Sequence, residues 1–395
     1  MKAGRHLILI FLATLLSGCV GDKAEYVHSV WTAPNAAELT QKVYYVTDRE
    51  ADPAWPGGFA KHWADKLSCG TAQALIPPLN KTDEKTGRLG TLARQDCGTQ
   101  TQAIAASIAA EARVKGCNEV LLYVHGFNTL IDGAILRAGQ LALDTKANCA
   151  VAAFSWASEG EVGRYVADIE HGSYAAPELE TLLRALAKQG LSVDVVGHSI
   201  GARLTLMALS SLAQHDDPPE AFLGQLILAA ADVGADPVNN DFAHLVADAR
   251  PFVHRITVYA SRGDAVLAVS GVAHGNVPRA GRRTKGDRAL EDGRIDVVDA
   301  SDAPAELLGH SYFALSTEMI GDIALVLRGM PAAERTAPDG DRPATLTVTP
   351  EADAPPHYVL AVTPARRPDA WVKLIRDLAP LVPRIELAPL TGSPE

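Results

Sequence analysis

Gly197-His198-Ser199-Ile200-Gly201 follows directly on the apolar run VDVV and leads directly into the helical pattern IGARLTLMALSSLA. A serine on a tight strand-to-helix turn of this kind is lifted above the end of its strand. Glycines two residues to either side keep Cβ atoms away from neighbouring backbone. The start of the next helix offers N–H groups without intrahelical acceptors to a developing oxyanion. A hydroxyl is a poor nucleophile at its free pKa, so acyl transfer at Ser199 would also need a base and an acid that orients the base.

The elements that would position these groups can be read from the hydrophobic pattern. Short β-branched or apolar runs alternate with longer helical stretches from about residue 40 to 330, the pattern of a largely parallel α/β sheet with helices on its faces. Eight runs read as strands: 43–46, 72–76, 120–124, 150–154, 193–196, 226–230, 255–259 and 295–298. Runs such as VLLYV and LILAA are apolar throughout and suit strands buried on both faces. Helices are expected at 100–115, 132–145, 177–189, 200–213, 241–249 and 311–327, and residues 80–98 read as a polar surface loop.

This layout is that of an α/β-hydrolase fold with about eight strands, in which the nucleophile, an acid after the seventh strand and a histidine after the eighth occur in that chain order. Asp264 follows RITVYA and His310 follows RIDVVD, so these two are the expected acid and base; Asp232, after the sixth strand, is the competing acid. The expected oxyanion donors are the N–H of Ile200 and that of Phe127 in the loop His125-Gly126-Phe127-Asn128, where Gly126 permits close approach. Asn128 and Trp156 are candidate substrate-pocket residues. Only a short segment joins the sixth and seventh strands, which predicts no large cap domain. Cover is expected from a 159–176 loop, the 270–294 connection or the C-terminal tail.

The segments LLYVHGFNT, AAFSWAS, VVGHSIGAR, ILAAADVGAD, VYASRGDAVLAVS and LLGHSYF resemble, in order and spacing over about residues 40–328, a bacterial α/β-hydrolase family of unknown role with esterase- and lipase-like sequences. The resemblance extends to Arg164, Tyr165 and Asp168. Where the family usually has S-M-G at the elbow and a proline before the aspartate after the sixth strand, this chain has Ser199-Ile200-Gly201 and Ala231-Asp232. The implied activity is serine hydrolysis of an ester or thioester through an acyl-enzyme. An acyltransferase or peptidase with the same triad, or a non-catalytic binding lipoprotein on the same scaffold, would carry the same motifs.

At the amino terminus, Lys2 and Arg5 precede an apolar run, Leu7 to Leu16, that ends in Leu16-Ser17-Gly18-Cys19. The run is shorter than the ~20 residues of a membrane span and within the ~7–15 of a signal peptide. Leu-Ser-Gly-Cys resembles the bacterial lipobox, which implies a signal peptide at 1–18, a lipidated Cys19, a tether over 19–39 and the hydrolase domain at 40–329. Residues 330–395 hold 12 of the 24 prolines and are too few to make a second core, so they read as a proline-rich extension that is either a flexible tail or packed on the main domain. Val20 rather than aspartate after the cysteine points to the outer membrane, with the domain facing the periplasm. In that oxidising compartment Cys117–Cys149 and Cys69–Cys97 are the expected disulfides. The net charge of −11 argues against a nucleic-acid partner. With no C-x-x-C or H-E-x-x-H spacing, neither a metal nor another cofactor is expected.

Overall fold

The structure, a computed structural model, describes residues 39–76, 91–98, 101–147, 149–161, 164–236, 240–284, 294–303, 310–339, 343–349 and 356–362. The expected signal segment, Cys19 and most of the expected tether lie outside the described residues. No described helix is long and apolar enough to cross a membrane.

Eleven strands form one sheet: β1 (Leu39–Ala51), β2 (Phe59–Ile76), β3 (Thr91–Gly98), β4 (Glu119–Val124), β5 (Ala150–Ser155), β6 (Ser192–His198), β7 (Leu223–Ala229), β8 (Val253–Ala260), β9 (Ile295–Asp299), β10 (Leu346–Thr349) and β11 (His357–Leu360). Their order is β10-β11-β9-β8-β7-β6-β4-β5-β1-β2-β3. From β1 through β5, β4 and β6–β9 to β11 every pairing is parallel; β2, β3 and β10 add antiparallel edges.

The helices are α1 (Thr101–Val114), α2 (Ile131–Thr145), α3 (Tyr165–Tyr174), α4 (Ala176–Lys188), α5 (Ile200–Ala213), α6 (Asp241–Ala249), α7 (Ala265–Ala273), α8 (Tyr312–Leu315) and α9 (Thr317–Val326). Helices α1, α4, α5 and α6 pack side by side on one face, over Tyr44, Val46, Leu122, Ala152, Phe154 and Val195. On the other face α2 packs on β1 and β5, with α9 against it, and Gly139 of α2 comes so near that a Cβ there would lie 3.0 Å from that of Ala74. The central strands are buried on both faces, which is why their sequences do not alternate.

The structure corrects two expectations, the strand count with the 80–98 loop and the 159–176 loop, and it packs part of the proline-rich region on the main domain. The sheet has eleven strands rather than eight, because backbone pairing rather than side-chain burial specifies its edges: β2 offers a long ladder, and the polar stretch TLARQDCG pairs with it as β3 instead of looping. Residues 165–174 form α3 rather than a loop; its buried positions are Tyr165, Asp168 and Gly172, a helical spacing without an aliphatic residue. In the proline-rich region Leu346–Thr349 and His357–Leu360 form a hairpin that joins the sheet beside β9.

Cys117 and Cys149 form a disulfide with Cα atoms 6.1 Å apart. Their strands pair with Val120 opposite Ala150, which leaves the two cysteines two residues out of step. The turn at Gly116 (φ 76°) folds Cys117 back, and its N–H bonds the Ala112 carbonyl. Cys69 is also disulfide-bonded; the side chain of Cys97 lies outside the described residues.

Candidate active site

Ser199 is the one residue between β6 and α5, and its backbone (φ 55°, ψ −119°) is one that non-glycine residues rarely adopt. The turn is held from below: Ser199 N–H donates to Ala229 O at 2.9 Å, and Ser199 O accepts from the Asp232 N–H at 3.2 Å. Close packing explains the glycines. A Cβ at Gly201 would lie 2.3 Å from the carbonyl oxygens of both Val124 and His125, and one at Gly126 would lie 2.9 Å from the Ser199 Cβ. Ser199 is fully buried, and its Oγ has no hydrogen-bond partner among the described residues. The serine-to-histidine hydrogen bond of a working triad is therefore not made here; in substrate-free sites this bond is commonly long and tightens on binding.

Asp264 ends the turn after β8. Its Oδ1 caps α7 by accepting from Leu267 N–H at 2.9 Å, and its Oδ2 lies 2.8 Å from Nδ1 of His310, the geometry in which Nδ1–H donates to a carboxylate. His310 is brought to the elbow by His198, whose ring centroid lies 4.7 Å from its own. Burial, and then the neighbouring His310, push the His198 pKa well below its usual value, so His198 is neutral and its Nε2–H donates to the His310 carbonyl at 3.2 Å. The pattern of β-strand residues gave no sign of this role for His198.

Asp232, the competing acid, is held by other groups. Its carboxylate accepts from Arg279 Nε at 2.6 Å, from Ser270 Oγ at 2.6 Å and from the Tyr165 hydroxyl, while Arg279 Nη2 also reaches its backbone carbonyl. Burial raises its pKa, but the Arg279 charge and these donors outweigh burial and hold the carboxyl below the usual range.

One expected oxyanion donor, Phe127, lies in the loop after β4, and the other, Ile200, opens α5 after β6. The Ile200 N–H opens α5 and so has no intrahelical acceptor, and the Phe127 N–H donates to no group among the described residues. Three buried side chains fix the loop. Asp168 accepts from Asn128 N–H (3.2 Å), Glu159 N–H (2.7 Å) and Ser158 Oγ (2.5 Å). Arg49 donates to the carbonyls of Thr129, Ser158 and Ala60. Burial and the Arg49 charge push His125 down to about 3, and this neutral ring bonds the Gly126 carbonyl through Nδ1 at 2.8 Å. Asn128 is half-buried at φ 57°. Trp156 differs from the expectation of a pocket residue: it is fully buried, its ring stacks on His125 with centroids 5.0 Å apart, and its indole N–H donates to the His125 carbonyl at 2.8 Å. An indole N–H needs an acceptor when buried, and this one was available in the loop itself.

Residues 100–328 match the sequence profile of an α/β hydrolase family of unknown function, DUF900. The chain belongs to this family. The matched span includes Ser199, Asp264, His310 and the oxyanion loop, and leaves outside it the strands β1–β3, β10 and β11. Among solved structures, esterase B from Lactobacillus rhamnosis aligns at 12% identity over 82% of this chain and 94% of its own, with a TM-score of 0.37. A putative hydrolase from Agrobacterium vitis S4 aligns at 13% identity over 74% and 99%, TM-score 0.33. An esterase from the archaeon Pyrobaculum calidifontis aligns at 12% identity over 82% and 91%, TM-score 0.33. A comparison with curated proteins gave no match. Among the described residues no group of three or more His, Cys, Asp or Glu side chains is placed to hold a metal ion.

Proposed function

We propose that this α/β hydrolase cleaves carboxylic esters or thioesters with Ser199 as nucleophile, His310 as general base and acid, and Asp264 as the orienting carboxylate. The observation that carries the reading is the 2.8 Å contact between Asp264 Oδ2 and His310 Nδ1 beside a strained serine elbow. With Nδ1–H committed to Asp264, the other ring nitrogen of His310 is the lone-pair nitrogen, as proton abstraction requires. Ser199 Oγ bonds to the acyl carbon as His310 takes its proton, and the carbonyl oxygen becomes an oxyanion facing the N–H groups of Phe127 and Ile200. Collapse breaks the bond to the leaving alcohol or thiol, which departs with the proton from His310. Water then adds to the acyl carbon, gives its proton to His310, and the acid is released as the proton returns to Ser199.

The test is turnover of p-nitrophenyl esters of increasing chain length by the purified protein and by Ser199→Ala. The reading requires hydrolysis by the first and none above background by the second; equal rates would exclude it. We also propose that the mature chain begins at a lipid-modified Cys19 and is held at the envelope membrane, since stable anchoring by acyl chains needs more than one chain and the lipobox pathway supplies them. Intact mass of the native protein, with Cys19→Ala released from the membrane fraction, checks this.

A further inference from the structure

Beyond the family-matched residues, the described residues 331–339, 343–349 and 356–361 add a 3-10 turn and the strands β10 and β11 at the edge of the sheet, and bury one arginine. Arg335, in the short 3-10 turn Ala332–Thr336, is fully buried and pairs with Asp322 of α9, itself fully buried. Its other nitrogen reaches Asp296 of β9 at 3.4 Å, and Asp296 also accepts from the Ala332 N–H at 3.0 Å. Asp322 accepts from the Thr345 hydroxyl, just before β10, and from the Tyr259 hydroxyl at 2.6 Å.

Tyr259 ties this cluster to the site. It lies near the end of β8, five residues before Asp264, and its carbonyl accepts from the Tyr312 hydroxyl at 3.0 Å, two residues after His310. A second contact lies alongside: His357 Nε2 of β11 is 3.3 Å from the Asp299 carboxylate without hydrogen-bond geometry, and Asp299 pairs with Arg262 in the acid-bearing turn at 3.0 Å. Both the acid turn and the histidine segment are therefore connected to a strap made of the described residues 331–339, 343–349 and 356–361.

We infer that this strap sets the His310–Asp264 geometry, with Arg335 a positioning residue that acts through Asp322, Tyr259 and Tyr312. The physical ground is the stiffness of a buried charge cluster in which Arg335 pairs with Asp322 and Asp296 through its two terminal nitrogens, its Nε alone lacking a partner among the described residues: moving either acid or the guanidinium leaves a buried charge without its counter-charge, which favours one arrangement. A displacement of about 1 Å in a catalytic group costs up to about 10²-fold in rate, so a loosened support reaches the chemistry without touching substrate. This inference rests on the triad reading above for its kinetic arm only.

The experiment compares the wild-type full chain with Arg335→Lys, which keeps the charge and loses the fork, and Thr345→Val, which removes one strap hydroxyl and keeps its shape. Two quantities are read on folded protein: kcat and KM for a p-nitrophenyl ester, and the far-downfield NMR proton of the His310–Asp264 hydrogen bond. The expected result is a kcat lower by about 10- to 100-fold in Arg335→Lys with KM little changed. The downfield proton should shift or be lost there, and move in the same direction by less in Thr345→Val. Should Arg335→Lys not fold, Thr345→Val decides alone. Wild-type kcat and an unmoved proton in the folded variants, with only melting temperature lowered, would make the strap a stabilising element and overturn the inference. If the wild type hydrolyses no ester, the proton resonance still decides, so failure of the esterase reading and failure of this inference are separable.

Discussion

Two buried carboxylates lie in the turns after β7 and β8, and under the proposed mechanism their surroundings give them different work. Asp232 touches the elbow directly through its backbone N–H, yet its side chain is fixed by a guanidinium, a phenol and a serine hydroxyl. Among the described residues no cation of fixed charge contacts Asp264; its partners there are a helix N–H and the imidazole of His310. A carboxylate clamped by arginine keeps its charge whatever happens beside it. One facing a neutral imidazole gains an ion pair only when that ring takes a proton, and so stabilises the moment at which serine is deprotonated. On the proposed reading, the identity of the partner rather than nearness to Ser199 marks the acid.

The comparison is most easily broken by exchanging each acid for its amide. Asp264→Asn retains the acceptor that caps α7 but leaves the wrong tautomer on His310. Ester turnover should drop by about 10⁴-fold with melting temperature close to wild type. Asp232→Asn should do the reverse, because it leaves Arg279 buried without its counter-charge: a loss of about 3–5 kcal/mol in denaturant unfolding, with turnover per folded molecule largely kept. Asp168→Asn tests the support of the oxyanion loop. It trades an acceptor for a donor opposite the Glu159 or Asn128 N–H, and kcat should fall by about 10- to 100-fold with KM little changed.

The smallest effect is expected at the opposite end of the sheet. Asp194 of β6 is buried with the Gln225 N–H at 2.8 Å and no cation among the described residues beside it, and burial raises its pKa to about 7. The folded state therefore holds this proton more tightly than the unfolded chain does, so stability is lost as pH rises from about 4 to 7. Asp194→Asn should accordingly raise the melting temperature at pH 8 and change it little at pH 4, as differential scanning calorimetry would show.

What the sequence disclosed follows the range of the interactions involved. The elbow was legible because its determinants lie within five consecutive residues, and Asp264 and His310 because chain order follows strand order in this fold. The Cys117–Cys149 bridge was legible for the same reason, since adjacent parallel strands set the distance. Helix α3 was not, because its buried face is Tyr165, Asp168 and Gly172, a polar and small-residue stripe without hydrophobic periodicity. Strands β3 and β10 lie at sheet edges, where ladder hydrogen bonds rather than apolar burial select the conformation. The roles of Arg49, Asp168 and Arg335 depend on partners far away in sequence. A charge inside a strand or an inward helix face, as with Arg49 in YYVTDRE, is the one local sign that a partner must exist.

The central claim, that Ser199 is a nucleophile activated through His310 by Asp264, is tested most directly by the rate of covalent labelling with a fluorophosphonate, read by intact mass and located by peptide mapping. Wild type should gain one adduct, on the Ser199 peptide; Ser199→Ala should gain none; Asp264→Asn should label orders of magnitude more slowly, and folded Asp232→Asn at close to the wild-type rate. An adduct elsewhere, undiminished labelling of Ser199→Ala, or slow labelling of Asp232→Asn beside fast labelling of Asp264→Asn would contradict the account.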